Sequence, residues 1–360
     1  MKNENDYILE LCKFIQPDST RIKALMDTPL NYPYILGQLL YNRAGAIAYY
    51  TLLKCGLLKN TNREFRNSLK TSYKAGINKT EELYTVLRYL YTVLKDADFK
   101  YAVLKGAFLA KLYPLGLRTS NDIDILIAPE NITALSNILK AAGFKQGYIR
   151  NEVFTAATRA EIINSRMNRG ETVPFIKELN FSPVTYLEVD INFSLDFKPQ
   201  DNDDTVKSIL SNLRDFGDDI PKTLSETDFL IHLCVHLFKE ATVMSWINSG
   251  RDLSLYKFCD IYLFISTYQS QDFYKKLKNR ILNLGLNKEC YFSLFCTSKL
   301  FNITDLSLLD LLNAIKPDNS ESVNRVIDPA MNKVYEYDIE IKERIFCSNR
   351  REHLHEIRNG

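Results

Sequence analysis

Residues 122–127 of this 360-residue chain read Asp-Ile-Asp-Ile-Leu-Ile, and that alternation leaves few folds open. Successive side chains of a β-strand point to opposite faces. Ile123, Ile125 and Ile127 therefore face one side of a strand, and Asp122 and Asp124 the other. The segment Tyr186-Leu-Glu-Val-Asp-Ile-Asn-Phe193 repeats the pattern, with Leu187, Val189, Ile191 and Phe193 opposite Glu188, Asp190 and Asn192. If the two strands lie side by side, Asp190 becomes a third carboxylate next to the first pair. Such a set suits Mg²⁺ or Mn²⁺, which take oxygen ligands in octahedral geometry and, in the case of Mg²⁺, retain water.

Around these strands the pattern changes twice, which predicts an α+β fold with a mixed-sheet core between two helical regions. Residues 1–98 are expected to form a helical N-terminal region. Its best helix has Asn78 as N-cap, Glu81 three residues on, and Leu83, Leu87, Leu90 and Leu94 at helical spacing. Residues 99–215 are the expected core. They read as a strand over 101–104, Gly106, a helix ended by Pro114, a turn through Gly116, the Asp-x-Asp strand, a helix over 131–142 closed by Gly143, an arginine-rich polar insertion over 158–177, and the Asp190 strand. Residues 216–360 turn helical again, starting with a capping box of Ser225 and Asp228. After about residue 316 a charged tail shows no clear core pattern.

Composition narrows the partners. A formal net charge of +2 and a pI near 8.0 do not call for a polyanion and mildly disfavour long nucleic acid. The apolar stretch 44–53 is too short to cross a bilayer, so no membrane partner is expected. The polar, acidic start does not resemble a signal peptide, which points to a cytoplasmic protein. Seven scattered cysteines without a CxxC pair fit reduced core thiols.

Phosphate chemistry needs donors as well as carboxylates. Gly106, at a strand-to-helix junction, would let backbone N–H groups approach a triphosphate, and Lys105, Arg118 and Ser120 supply cationic and hydroxyl contacts nearby. The order is strand, Gly, helix, Asp-x-Asp on the next strand, then a later strand Asp. In this order the chain resembles the polymerase-β-like nucleotidyltransferase superfamily. Leu104-Lys-Gly-Ala107, Leu112-Tyr-Pro114, Arg118, Ser120 and Asp122-Ile-Asp-Ile-Leu126 are similar more closely to a bacterial family of uncharacterised nucleotidyltransferases. The likeness runs over roughly residues 100–262.

That resemblance implies Asp122 and Asp124 as metal ligands, Asp190 as third ligand or base, and Gly106 with Ala107 as the phosphate turn. The expected reaction moves a nucleoside monophosphate from an NTP to an acceptor hydroxyl, using Mg²⁺ or Mn²⁺, with a small-molecule acceptor favoured over protein or RNA. Two positions depart from the pattern: Ala107 replaces a Gly or Ser, and Asn192-Phe193 replaces a His-Trp pair.

Other readings of the same residues remain open. His232 and His236 have the i, i+4 spacing of zinc ligands but lack an intervening HExxH glutamate and an obvious third ligand; packing or a hydrogen bond near the nucleotide suits His236 better. Glu188 and Asp196 read as solvent-facing or supporting groups, and Arg159, Arg166 and Arg169 as a solvated face or the acceptor side. An Asp-x-Asp also serves sugar-nucleotide glycosyltransferases, though these need neither the Gly106 turn nor Asp190. In haloacid-dehalogenase-type phosphatases the first Asp ends a strongly apolar strand, which the residues before Asp122 do not form. A non-catalytic nucleotide-sensing or antitoxin-like interaction protein is the alternative outside enzymes.

Overall fold

A computed structural model describes residues 2–180, 186–195, 203–215, 217, 219–318 and 323–357. The chain forms two compact units, one of residues 75–229 and the other of residues 1–74 with 230–360. The three consecutive segments read from the sequence do not correspond to these units. Helices from both ends of the chain gather in one of them, and the boundaries fall inside two helices.

The unit built from the two ends starts with α1 (Lys2–Leu11), α2 (Ser19–Met26), α3 (Tyr32–Tyr41) and α4 (Gly45–Lys54), followed by the long α5 (Arg63–Leu94). Asn78 was expected to cap a helix, but it lies within α5. The start is capped instead by Asn62, whose Oδ1 accepts from the Phe65 N–H at 2.8 Å. Buried Phe65 and Leu69 carry the helix's apolar stripe upstream of Asn78, so the helix has no reason to begin there.

The core unit then runs β1 (Tyr101–Val103), α6 (Gly106–Leu112), β2 (Asp122–Ile127), α7 (Ile132–Ala141), β3 (Lys145–Arg150), β4 (Val153–Ala156), α8 (Arg159–Asn168), β5 (Phe175–Glu178), β6 (Tyr186–Asn192), α9 (Asp203–Leu210), β7 (Leu213–Arg214) and β8 (Thr223–Leu224). Its strands form one mixed sheet in the order β4-β3-β5-β6-β2-β1-β8-β7. β2 pairs antiparallel with β1 and parallel with β6. Ile123, Ile125 and Ile127 of β2 and Val189 and Ile191 of β6 bury against Leu83, Leu87, Leu90 and Leu94 of α5 and Leu135 and Leu139 of α7. At about 1.5–3 kcal/mol for each large aliphatic side chain buried, this one-sided core fixes the register. A slip of one residue would turn the isoleucines out and the aspartates in.

Beyond α10 (Glu226–Thr242) come α11 (Met244–Asn248), α12 (Leu255–Thr267), α13 (Gln271–Leu284), α14 (Asn287–Phe301) and α15 (Leu306–Ile315). The charged tail is structured. β9 (Arg325–Asp328), β10 (Lys333–Tyr337) and β11 (Leu354–Ile357) make an antiparallel sheet, with α16 (Ile341–Phe346) between the last two strands. Val326 and Tyr337 bury against Met244 and Ile247. Strands of four or five residues that are half exposed carry too few apolar positions to show a period. N-terminal and C-terminal helices meet directly: the Phe14 and Tyr262 rings pack edge to face, and the Leu255 N–H donates to Asn42 Oδ1 at 3.0 Å. No helix among the described residues is long and apolar enough to cross a membrane.

Candidate active site

The parallel register of β2 and β6 sets Asp122 opposite Glu188, Asp124 opposite Asp190, and Leu126 opposite Asn192. Neighbouring strands lie about 4.8 Å apart, so four carboxyl groups crowd one face of the sheet, opposite the apolar core. Asp124 is buried at 5% exposure, while Asp122, Glu188 and Asp190 are half-buried. Burial, then the charges of Asp124, Glu188, Asp122 and Glu171, hold the Asp190 carboxyl well above the usual carboxylate range. Glu188 is raised too, by burial first and then by Asp122 and Asp124. The face is thus short of positive charge, a condition that a bound cation relieves.

One cation comes from the protein. Lys105 Nζ donates to Asp124 Oδ1 at 2.8 Å, and Asn192 Nδ2 donates to the same oxygen at 3.2 Å. The Leu104 N–H also donates to the Asp124 carbonyl at 2.9 Å, tying the end of β1 to β2. Lys105 has φ of 45° and ψ of −122° and caps α6 without a side-chain hydrogen bond. A residue other than glycine in that region costs on the order of 1–3 kcal/mol, and such strain concentrates at functional sites.

Gly106 owes its identity to a close approach. A Cβ built there would lie 2.4 Å from Ser120 Cβ and 2.5 Å from Ser120 Oγ, so only glycine lets the start of α6 pass the loop before β2. Ser120 Oγ in turn donates to Asp122 Oδ1 at 2.9 Å. Gly106, Ser120, Asp122, Lys105 and Asp124 are therefore one connected group. The Arg118 guanidinium donates to the Thr119 carbonyl within its own loop. Ala107 is buried in the apolar core, so its methyl faces away from the carboxylates and only its backbone is available to a phosphate.

A cavity of about 340 Å³ opens beside this group, at the N-terminal ends of β2 and β6. Ser120, Asp122, Ile123, Leu187 and Glu188 line one side and Lys79, Glu82, Leu83 and Val86 of α5 the other, so the cavity lies at the strand ends toward the apolar face and is not lined by Lys105, Asp124 or Asp190. Its volume is in the range of small-molecule sites.

Three contributors were not picked out by sequence reasoning. Glu188 stands directly across from Asp122, and Asn192, noted only as a departure, orients Asp124. Gly76, in mid-α5, brings the loop in: a Cβ there would lie 2.1 Å from the Gly116 carbonyl oxygen. Thr80 Oγ1, one turn on, reaches the Arg118 carbonyl at 3.4 Å. A glycine inside a helix costs about 0.5–1 kcal/mol relative to alanine, and that cost was the available signal. Of the three insertion arginines, Arg169 pairs with Glu171 at 2.7 Å. His236 Nε2 lies 3.4 Å from Glu240 Oε1. Asp196 lies outside the described residues.

Hard oxygen donors are the right chemistry for Mg²⁺ or Mn²⁺. Among the described residues no three His, Cys, Asp or Glu side chains stand as a ready-made metal cage. Mg²⁺ does not require one, because it is commonly held by one or two carboxylates together with substrate phosphates and water. Asp122, Asp124 and Asp190 are the carboxyl groups that could serve as such ligands.

The mixed sheet, with helices on its apolar face and paired carboxylates on the other, belongs to the α+β class and has the order of elements expected of a nucleotidyltransferase core. Residues 33–302 match the family described as uncharacterised nucleotidyltransferase, and the chain belongs to that family. The match reaches well into the N-terminal helices, beyond the stretch whose motifs carry the resemblance. A solved structure, that of an antigenic nucleotidyltransferase-like protein from Paracoccidioides brasiliensis, is similar at 16% identity and a TM-score of 0.32, covering 58% of this chain and 92% of that one. No curated protein matched the chain.

Proposed function

We propose that the protein transfers a nucleoside monophosphate from an NTP to the hydroxyl of a small acceptor. The observation that carries this reading is the pairing of Asp122 with Glu188 and Asp124 with Asp190 on parallel strands, directly beside the tight Gly106–Ser120 contact. The acceptor oxygen would attack the α-phosphorus, the bond to the β-phosphate would break, and pyrophosphate would leave. Asp190, whose carboxyl is raised by burial and acidic neighbours that a bound cation would offset, would as the ionised carboxylate take the hydroxyl proton or complete the ligand set. Asp122, Asp124 and Asp190 would hold Mg²⁺ or Mn²⁺, which supplies neutralisation of charge on the transferring phosphoryl group.

Gly106 and the backbone of Ala107 would lie against the triphosphate, with Lys105, Arg118 and Ser120 as its polar contacts. The cavity beside Asp122 and Glu188 would seat the acceptor. Its volume suits a small molecule better than an RNA end, and its lining sets Glu82, Asp122 and Glu188 against Lys79, a balance unfavourable to a polyanion. A cytoplasmic location, where NTPs are abundant, fits this role. A sugar-nucleotide glycosyltransferase gives no account of why the Gly106 turn packs on the serine that holds Asp122. A non-catalytic module gives none of why four carboxyl groups are crowded together against their own repulsion.

The test is to incubate the protein with each α-labelled NTP and Mg²⁺, with and without cell extract, and to follow both label and pyrophosphate. Label transferred to a small molecule by the wild type, and not by Asp124→Asn, is the expected result. Turnover of a sugar nucleotide with no use of any NTP would overturn the reading.

A further inference from the structure

Asp124, the most buried carboxylate of the active face, already has a cation on it. Lys105 Nζ lies 2.8 Å from Oδ1, with 22% of the lysine side chain and 6% of the aspartate exposed. A charge-assisted bond at this distance and depth is far less screened than a surface pair. It occupies an oxygen that the proposed metal would need. We propose that Lys105 is an exchangeable internal cation. Without nucleotide its ammonium holds Asp124 in place of a divalent ion, and when metal and triphosphate enter it moves off Asp124 onto a phosphate oxygen. The inference rests on the nucleotidyltransferase reading of the site.

Two features of the structure support an exchange rather than a fixed structural pair. First, the backbone of Lys105 is locked. It is held at φ 45°, the next residue begins α6, and its carbonyl accepts from the N–H groups of Phe108 and Leu109 at 3.1 and 2.9 Å. Any change of partner must then come from rotation of the flexible four-carbon stem alone, which lysine allows and a rigid arginine fork would not. Second, Asp124 Oδ1 keeps another donor, Asn192 Nδ2 at 3.2 Å. Departure of the ammonium therefore leaves the carboxylate oriented. The consequence is coupling between ligands: metal alone competes with the ammonium and binds weakly, while metal with an NTP gives the ammonium a new anion and binds tightly.

Electron paramagnetic resonance of free Mn²⁺ measures this when each analogue titration is referenced to the same Mn²⁺ and analogue mixture without protein. Titrations would compare wild type, Lys105→Met and Lys105→Gln, each with and without a non-hydrolysable α,β-methylene NTP analogue, alongside thermal melting. Without nucleotide, Lys105→Met should bind Mn²⁺ about tenfold more tightly than wild type, because its competitor is gone. The analogue should tighten Mn²⁺ binding about tenfold or more in wild type and much less in Lys105→Met. Normal melting with Mn²⁺ binding no tighter than wild type in both neutral variants would overturn the exchange. Early melting of both would also overturn it, since Lys105 would then be a structural cation. If wild type with the analogue binds no Mn²⁺ at all, the nucleotidyltransferase reading falls and takes the exchange with it. If wild type binds but the variants bind no better, only the exchange falls.

Discussion

Two clusters of charged groups, one in each unit, solve opposite problems. In the unit made from the chain ends, Arg344 is fully buried and Arg350 nearly so, with Asp252 as their shared carboxylate. Arg350 Nη1 lies 2.6 Å from Asp252 Oδ1 and Arg344 Nη2 lies 3.6 Å from Oδ2. The excess positive charge is met in part by uncharged groups: Ala241, Ile345 and Leu253 carbonyls accept from the guanidinium groups, and the Tyr337 ring sits 3.9 Å from the Arg344 carbon. Arg344 Nε and Nη1 and Asp252 Oδ2 have no hydrogen-bond partner among the described residues. Burial pulls the Arg344 guanidinium below its usual range. The sheet face of the other unit has the reverse composition, four carboxyl groups and a lysine, and two of the carboxyl groups, those of Asp122 and Glu188, reach a cavity at the strand ends. Charge that is paired across two guanidinium groups and sealed from solvent serves the fold. Charge left short and open is where a ligand belongs.

The contrast is broken most sharply by removing one aspartate from each cluster. Asp252→Ala would strand two buried guanidinium groups and should cost about 3–5 kcal/mol of stability, read by chemical denaturation. Asp124→Asn should leave the melting transition near that of wild type and lower NMP transfer by about 10³-fold, the scale of several kcal/mol of lost transition-state stabilisation. The opposite pairing, with stability lost at Asp124 and transfer lost at Asp252, would erase the distinction.

Proton linkage sharpens it further. The Asp190 carboxyl sits well above its ordinary value because of burial and its acidic neighbours, so the folded state holds that proton more firmly than the unfolded chain does. The stability this contributes is complete below the unfolded value, about 3.9, and is lost as pH rises through the higher folded value. The metal-free wild type should therefore lose stability with rising pH across that window. Asp190→Asn, neutral throughout, should lose less and be the more stable protein at pH 8, while transferring about 10²-fold or more slowly. Parallel pH profiles of melting for the two proteins would show that the carboxyl groups are not crowded as described.

Much of this site was legible in the sequence because period-2 alternation fixes both the strand and the face on which its acids lie. The shared face of Asp122 and Asp124 and the facing of Asp190 could be read from that alternation, while Gly106 was read from its place between a strand and a helix, and the helix closed by Gly143, whose φ is 90°, from its terminal glycine. What the sequence hides is pairing in space. Glu188 becomes Asp122's neighbour only through the parallel register of β2 with β6, and the Asn192 bond to Asp124 depends on the same register. The N-terminal and C-terminal helices read as two regions because nothing local records that they pack together. The tail read as charged and without a core pattern because its short strands are half exposed, and its buried anchors, Arg344 and Arg350, look on paper like surface charge.

The smallest expected effect compares two helical glycines. Gly37 lies inside α3 with nothing within 4 Å of a built Cβ, whereas a Cβ at Gly76 would meet the Gly116 carbonyl oxygen at 2.1 Å. Gly37→Ala removes only the backbone-entropy penalty and should stabilise by about 0.5–1 kcal/mol. Gly76→Ala gains the same helix propensity but must push the Gly116 loop away, a displacement on the scale of overpacking, about 1–3 kcal/mol, so its net effect should be destabilising. Because that loop carries Arg118 and Ser120, Gly76→Ala should also weaken NTP binding, and Gly37→Ala should not. Melting curves and NTP titrations of the two variants decide it. Equal stabilisation with unchanged NTP affinity would mean that Gly76 does not position the loop.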